Sequence, residues 1–235
     1  MTEKTIFASI SGKQKTSISI FRISGPKVKY IIKNLCVGTI KPTKINLSKI
    51  IKKDGSFLDL AIVLFFEKPK SLTGEDLVEF HLHGSPSIIK EFYETLLSIK
   101  GVYVAEPGDF SKQAFNNNKI DLLQIEGLED LYNSYTEKQR IQSQNAFLGG
   151  ISGKLNSWRE DIIYLNALIE SSIDFSDEDL PEDTLRTFNN LLSDLKTDIS
   201  DQIKIAEKAK IIKQGINISI IGPPNAGKSS LINCI

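Results

Sequence analysis

The sequence holds only two cysteines, Cys36 and Cys234, far apart and without metal-ligand spacing, so neither a disulfide framework nor a cysteine metal cluster is expected. That scarcity suits a reducing cytoplasm. Histidine is equally scarce: His81 and His83 are the whole supply, too few ligands for a zinc site with no cysteine nearby in sequence. Net charge is missing too. The 29 basic and 29 acidic side chains cancel, so no global field advertises nucleic acid or a membrane surface. No apolar run approaches the roughly 20 residues of a membrane helix. The opening "MTEKTIFASISGKQKT" lacks the unbroken apolar core of a signal peptide. Internal repeats and low-complexity tracts are absent as well. A cytoplasmic, non-membrane globular protein is the expectation.

What is present fills 235 residues, enough for one large domain or two modest ones, and a 40% hydrophobic, 25% charged composition is ordinary for a globular chain. The charges are uneven, Lys-rich up to about Lys70 and acidic around Asp174 to Asp183. Residues 1–117 mix strands and helices. "SISIFRIS" alternates and then turns at Gly25-Pro26, and "KVKYIIKNLC" reads as a helix. "LDLAIVLFFE" and "GEDLVEFHLHG" read as strands, "SPSIIKEFYETLLSI" as a helix opening near Pro86, and "VYVAEPGDFSKQAF" as a strand followed by a turn. The sum is β-α-β-β-α-β, an α+β domain.

From Asp121 the texture changes. Leu122, Leu123, Ile125, Leu128 and Leu131 keep a helical period, as do Phe147, Ile151, Leu155 and Trp158, and later Leu192, Leu195, Ile199, Ile203 and Ala206. Such stripes must pack on other helices, so a helical bundle is expected over residues 118–213. "DFSDEDLPEDTL" interrupts it. Its carboxylates suit the positive end of a helix starting near Pro181 or Glu182, and their spacing is not that of a calcium loop.

A strand face, two single cations (Arg22 and Lys119) and a glycine-rich loop, as a third group, are the candidates for chemistry. On "VEFHLH", Glu79, His81 and His83 share one face of a strand while Phe80 takes the other, so that face either lines a pocket or is simply solvated. Arg22 sits between Phe21 and Ile23, either snorkelling to solvent or placed to bind a carboxylate. Lys119 stands where the first domain meets the first long helix. The third group is "GPPNAGKS", residues 222–229, which fits G-x-x-x-x-G-K-[ST]. Ile218 to Ile221 reads as a short buried strand before it, and an apolar helix follows. Gly222 and Gly227 would turn backbone amides towards phosphate, Lys228 would reach the β and γ oxygens, and the Ser229 hydroxyl would hold Mg2+.

"FRISGP", "LTGEDLVEFHLHGSP", "PGDFSKQAFNNNKIDLLQIEGLEDL", "IDFSDEDLP" and "IIGPPNAGKSSLIN" occur in one order, and together they closely resemble the MnmE (TrmE) family of tRNA-modification GTPases over essentially the whole chain. The resemblance implies a tetrahydrofolate-binding-like α+β domain over 1–117 that also forms a homodimer. It implies the first part of a central helical domain over 118–213. A Ras-like α/β GTPase domain would be inserted there, its start lying at 214–235. Folate (a 5-formyl- or 5,10-methylene-tetrahydrofolate) would bind through Arg22, Glu79 and Lys119. GTP would lie against Gly222, Asn225, Ala226, Gly227, Lys228, Ser229 and Ser230, with K+ at Asn225 and Mg2+ at Ser229. The family works with the flavoprotein MnmG on C5 of the wobble uridine of tRNA, and the folate supplies the one-carbon unit. On this reading the rest of the GTPase lies beyond Ile235. The alternatives are a folate-binding homodimer module without GTPase activity, or an unrelated P-loop ATPase with a helical regulatory domain.

Two departures from the family pattern stand out. A Gly-rich turn before the "RISG" strand is replaced by "GKQKTS", and an Arg after "GEF" becomes Gln113 in "GDFSKQ". Both touch the surroundings of the implied folate residues.

Overall fold

Alternation of apolar and polar side chains builds the first part of the chain into strands. The structure, a computed structural model, describes residues 4–12, 16–174, 182–214, 219–224 and 226–234. It divides into two compact units, Met1–Leu122 and Leu123–Ile235.

The first unit runs β1 (Thr5–Ser9), β2 (Ile18–Ser24), α1 (Val28–Leu35), β3 (Ile45–Ile51), β4 (Phe57–Phe66), β5 (Leu77–His83), α2 (Pro86–Leu97), β6 (Val102–Val104) and α3 (Asp109–Asn116). One mixed sheet has the order β3-β4-β5-β2-β1-β6, antiparallel throughout except for the β1–β6 pair. The expected β-α-β-β-α-β order is present within it, with β1, β3 and α3 added. Strand β3 escaped the sequence pattern because its apolar Ile45 and Leu47 face solvent while Ser48 is buried, donating its hydroxyl to the Val37 carbonyl at 3.0 Å. Its alternation therefore does not announce a buried face.

The inner face of the sheet carries Phe7, Phe21, Ile23, Val63, Val78 and Phe80, and it packs on Val28, Ile31 and Leu35 of α1 and Phe92 and Leu96 of α2. Phe92 sits at the centre, its ring 5.1 Å from both Phe21 and Phe80. Each such burial stabilises the unit by about 1.5–3 kcal/mol. The outer face is different. Register places Ile45 beside Leu64 and Leu47 beside Ile62, then Leu64 beside Glu79 and Ile62 beside His81. An apolar surface of β3 and β4, with Leu47 68% exposed, thus runs directly into the polar centre of the sheet.

The second unit comprises α4 (Leu122–Tyr132), α5 (Glu137–Phe147), α6 (Gly150–Asp174), α7 (Glu182–Gln214) and the short α8 (Lys228–Ile232). Helix α5 opens on a capping box, in which the Thr136 hydroxyl accepts from the Gln139 amide and the Gln139 side chain accepts from the Thr136 amide. A Cβ on Gly127 would lie 2.6 Å from the Phe147 amide nitrogen, so only glycine lets α4 approach α5 this closely. Leu165 of α6 and Leu195 of α7 are buried, and the Trp158 indole donates to Asp198 across the same helix pair at 2.8 Å. A groove of about 780 Å³ lies along α5, α6 and α7, lined by Ile151, Leu155, Trp158, Ile199 and Ile203 among others. Among the described residues no helix is long and apolar enough to cross a membrane.

The expected strand over Ile218–Ile221 falls partly outside the described residues. Ile218 lies outside the described residues, and Ser219 to Ile221 belong to no strand, with Ile221 93% exposed. Most of the acidic stretch weighed as a metal site, residues 175–181, lies outside the described residues.

Candidate functional site

Strands β2 and β5 pair antiparallel in a register that sets Arg22 directly opposite Glu79. Both side chains stand on the outer face, because Phe21, Ile23, Val78 and Phe80 on either side of them are drawn into the core. The Arg22 guanidinium donates from Nε and Nη2 to the same oxygen, Glu79 Oε1, at 2.8 Å each. The side chains are only 23% and 15% exposed, so the pair feels less solvent screening than a surface ion pair. The Phe110 ring lies over the guanidinium, 5.6 Å from Cζ to its centroid.

Glu79 Oε2 is left out of that pairing and faces His81, 3.7 Å from Nε2. His83 does not join them. Its imidazole Nδ1 is 2.8 Å from Oδ1 of the buried Asp59, so the expected trio on this face reduces to Glu79 and His81.

The loop entering β5, residues 71–76, is tied down on several sides. Thr73 exchanges a hydroxyl bond with Ser24 at 2.7 Å, and the Gly25 amide donates to the Asp76 carbonyl at 2.9 Å. Asn117, just past α3, donates to the Thr73 carbonyl at 2.8 Å. Gly74 has φ +78°, and a Cβ there would meet the Asn117 Cβ at 2.7 Å, so the glycine is required both for its backbone angle and for this contact. Lys119 follows two residues after Asn117. It is exposed, with its amide donating to the Ala114 carbonyl at 2.8 Å, and among the described residues no ion pair joins it to Arg22 or Glu79.

Phe110 is a contribution the sequence pattern did not single out, and Gln113 stood out there only as a departure from the family pattern. They stand three apart on α3 and so share its face. Gln113 is 7% exposed, and among the described residues its Oε1 has no hydrogen-bond partner. The signal was available: Gly108-Asp109 ahead of "FSKQAF" is a plausible helix start, with an acidic residue in the first turn.

Chemically, the outer face offers a carboxylate oxygen free to accept N–H donors, a cation for acceptor atoms and an aromatic ring above the cation. That combination suits a flat, polar heteroaromatic ligand.

The second candidate site is the loop before α8. Gly227 precedes the helix in a left-handed conformation, φ +78°. The Lys228 ammonium folds back on the loop and donates to the carbonyls of Gly222 at 2.8 Å and Pro223 at 2.6 Å. Ala226, Ser229 and Ser230 are exposed around it, and Asn225 lies outside the described residues.

These features describe a two-part chain: a mixed-sheet domain with a charged centre on its open face, then a helical domain leading to a phosphate-loop sequence. The family described as GTP-binding protein TrmE N-terminus matches residues 5–119, and the MnmE helical domain matches residues 122–228. The chain belongs to the TrmE/MnmE family. It is 40% identical over 229 residues to the tRNA modification GTPase MnmE of Dinoroseobacter shibae, covering 97% of this chain and 53% of that protein. The MnmE of Rickettsia typhi is 40% identical over 233 residues, 98% of this chain and 52% of its own length. The MnmE of Bartonella tribocorum is 40% identical over 230 residues, 97% and 53%. The chain therefore spans about half the length of the curated relatives it matches.

Proposed function

We propose that the chain is the N-terminal part of a tRNA-modifying GTPase whose first domain binds a reduced folate, 5-formyl- or 5,10-methylene-tetrahydrofolate, and forms a homodimer. The observation that carries the folate reading is the Arg22–Glu79 ion pair, held opposite across β2 and β5 with one carboxylate oxygen unpaired. The residues fit the group. Glu79 accepts an N–H bond from a pterin ring through its unpaired oxygen, Arg22 neutralises acceptor atoms, Phe110 covers the cation, and exposed Lys119 is suited to a glutamate tail. The one-carbon unit is the folate's own chemistry, and the protein's part is to bind and orient it.

GTP would lie against Gly222, Asn225, Ala226, Gly227, Lys228, Ser229 and Ser230. Lys228 would exchange the loop carbonyls it holds for phosphate oxygens, and Ser229 would carry Mg2+. The K+ role of Asn225 rests on sequence. With the MnmG flavoprotein, the whole protein would act on C5 of the wobble uridine of tRNA in the cytoplasm. The dimer reading is supported by the exposed apolar row of Ile45, Leu47, Leu60 and Ile62 on β3 and β4, a surface of the kind that monomers rarely leave open.

Calorimetric titration of residues 1–235 with 5-formyltetrahydrofolate tests the folate function. Binding that falls at least about tenfold in Arg22→Ala and in Glu79→Ala is expected. Wild-type protein that takes up no folate would refute it. Phosphate release from GTP by residues 1–235 is expected to be negligible.

A further inference from the structure

In the first unit, the described residues include two buried side-chain polar atoms without a hydrogen-bond partner, His81 Nε2 and Gln113 Oε1. Both belong to elements that frame the Arg22–Glu79 pair. His81 is two residues along β5 from Glu79, and Gln113 is one helical turn from Phe110. A buried polar atom left without a hydrogen bond is disfavoured, so each is a position where a partner is missing.

His81 carries the stronger argument. Its Nε2 lies 3.7 Å from Glu79 Oε2, too long for a hydrogen bond, while Oε1 of the same carboxylate takes both Arg22 donors. Nitrogen and oxygen therefore stand side by side, each with an unused lone pair when the imidazole carries its hydrogen on Nδ1. The flanking cross-strand residues are Ile20 and Ile62, neither of which offers a side-chain partner. No other charged side chain is bonded to His81 among the described residues.

We propose that His81 is a further ligand contact. Its Nε2 and Glu79 Oε2 form a two-point acceptor for adjacent N–H donors on one edge of an aminopyrimidine-type ring, and His81 thereby selects ligands with two such donors over ligands with one. The inference rests on the folate reading above and adds a specificity-determining residue to it.

Only two histidines occur in the chain, so selective 15N-histidine labelling gives a spectrum of few ring resonances. Saturation with 5-formyltetrahydrofolate is expected to shift the His81 Nε2 resonance and to leave the ring of His83, held by Asp59, in place. An unmoved His81 ring in a protein that does bind the folate overturns the inference and leaves the folate reading intact. In parallel, His81→Ala is expected to lose about tenfold in affinity with an unchanged melting temperature, and His81→Gln, which keeps an acceptor, to recover most of it. Equal affinity in wild type and His81→Ala, alongside loss in Glu79→Ala, overturns it as well. Wild-type protein that does not bind the probe at all overturns the folate reading and this inference together.

Discussion

Asp59 holds His83 twice. Its Oδ1 lies 2.8 Å from the imidazole Nδ1, and its Oδ2 accepts the His83 backbone amide at 2.8 Å, while Oδ1 also accepts the Leu60 amide at 2.8 Å. The carboxylate is buried and spends its lone pairs on the end of β5, where it closes the β4–β5 seam. Asp59→Ala leaves two amides and a ring N–H without their acceptor. It is expected to cost about 2 kcal/mol in urea unfolding, while His83→Ala, which removes one bond of the three, costs less. Equal stability of Asp59→Ala and wild type would show that the clamp is dispensable.

The two thiols should differ sharply in reactivity. Cys36 is buried, and that burial pushes its thiol up to about 12, against a smaller opposing pull from the Ser48 hydroxyl. At pH 8 only about one molecule in ten thousand would carry the thiolate, the form that attacks a disulfide reagent. Cys234 is exposed. Ellman titration of native protein is expected to show one fast thiol, lost in Cys234→Ser, with the second appearing only on denaturation.

Asp198 gives the helical unit an acid-sensitive contact. Hydrogen bonds from Lys154 and then Trp158 hold its carboxyl below the usual carboxylate range. A depressed folded-state value means that its stabilising contribution is present above the unfolded carboxylate range, near pH 4, and is lost as pH falls through the lower folded value. Trp158 is the chain's one tryptophan, so its fluorescence reports this contact directly. Asp198→Asn is expected to melt below wild type at neutral pH. The gap should narrow as the pH drops beneath about 4 and close once the native carboxylate is protonated.

The outer apolar row of the sheet should govern assembly. Leu47 is exposed opposite Ile62, in the middle of that row. Leu47→Glu places a charge where a second copy would need to desolvate it. Light scattering is expected to show wild type at twice the 26.2 kDa chain mass and the variant at 26.2 kDa. A wild-type monomer at all concentrations would exclude this surface as a dimer contact.

Much of this was readable without coordinates where the signal is local. The alternation in "VEFHLH" separates Glu79 and His81 from Val78, Phe80 and Leu82, and the structure keeps that separation. The spaced Leu and Ile of α6 and α7 announce helices because a 3.6-residue period repeats over many turns. Strand β1 is five residues long, too short for a periodic signal to accumulate, and α3 announces itself by its Gly108-Asp109 start rather than by a long period.

The sequence by itself determined the long helices, the core-facing positions of β5 and, through five co-linear motifs, the family. Those properties depend on side-chain spacing along the chain and need no knowledge of what lies across space. Tertiary structure decided the pairings. Arg22 meets Glu79 from 57 residues away because β2 and β5 adopt one register, and a slip of one residue would turn either side chain into the core. The same register leaves Glu79 Oε2 beside His81, while Asp59, 24 residues before His83, draws that second imidazole away. Which carboxylate is free and which histidine is spent depends on distances between strands, and those arise only when the sheet closes over its phenylalanine core.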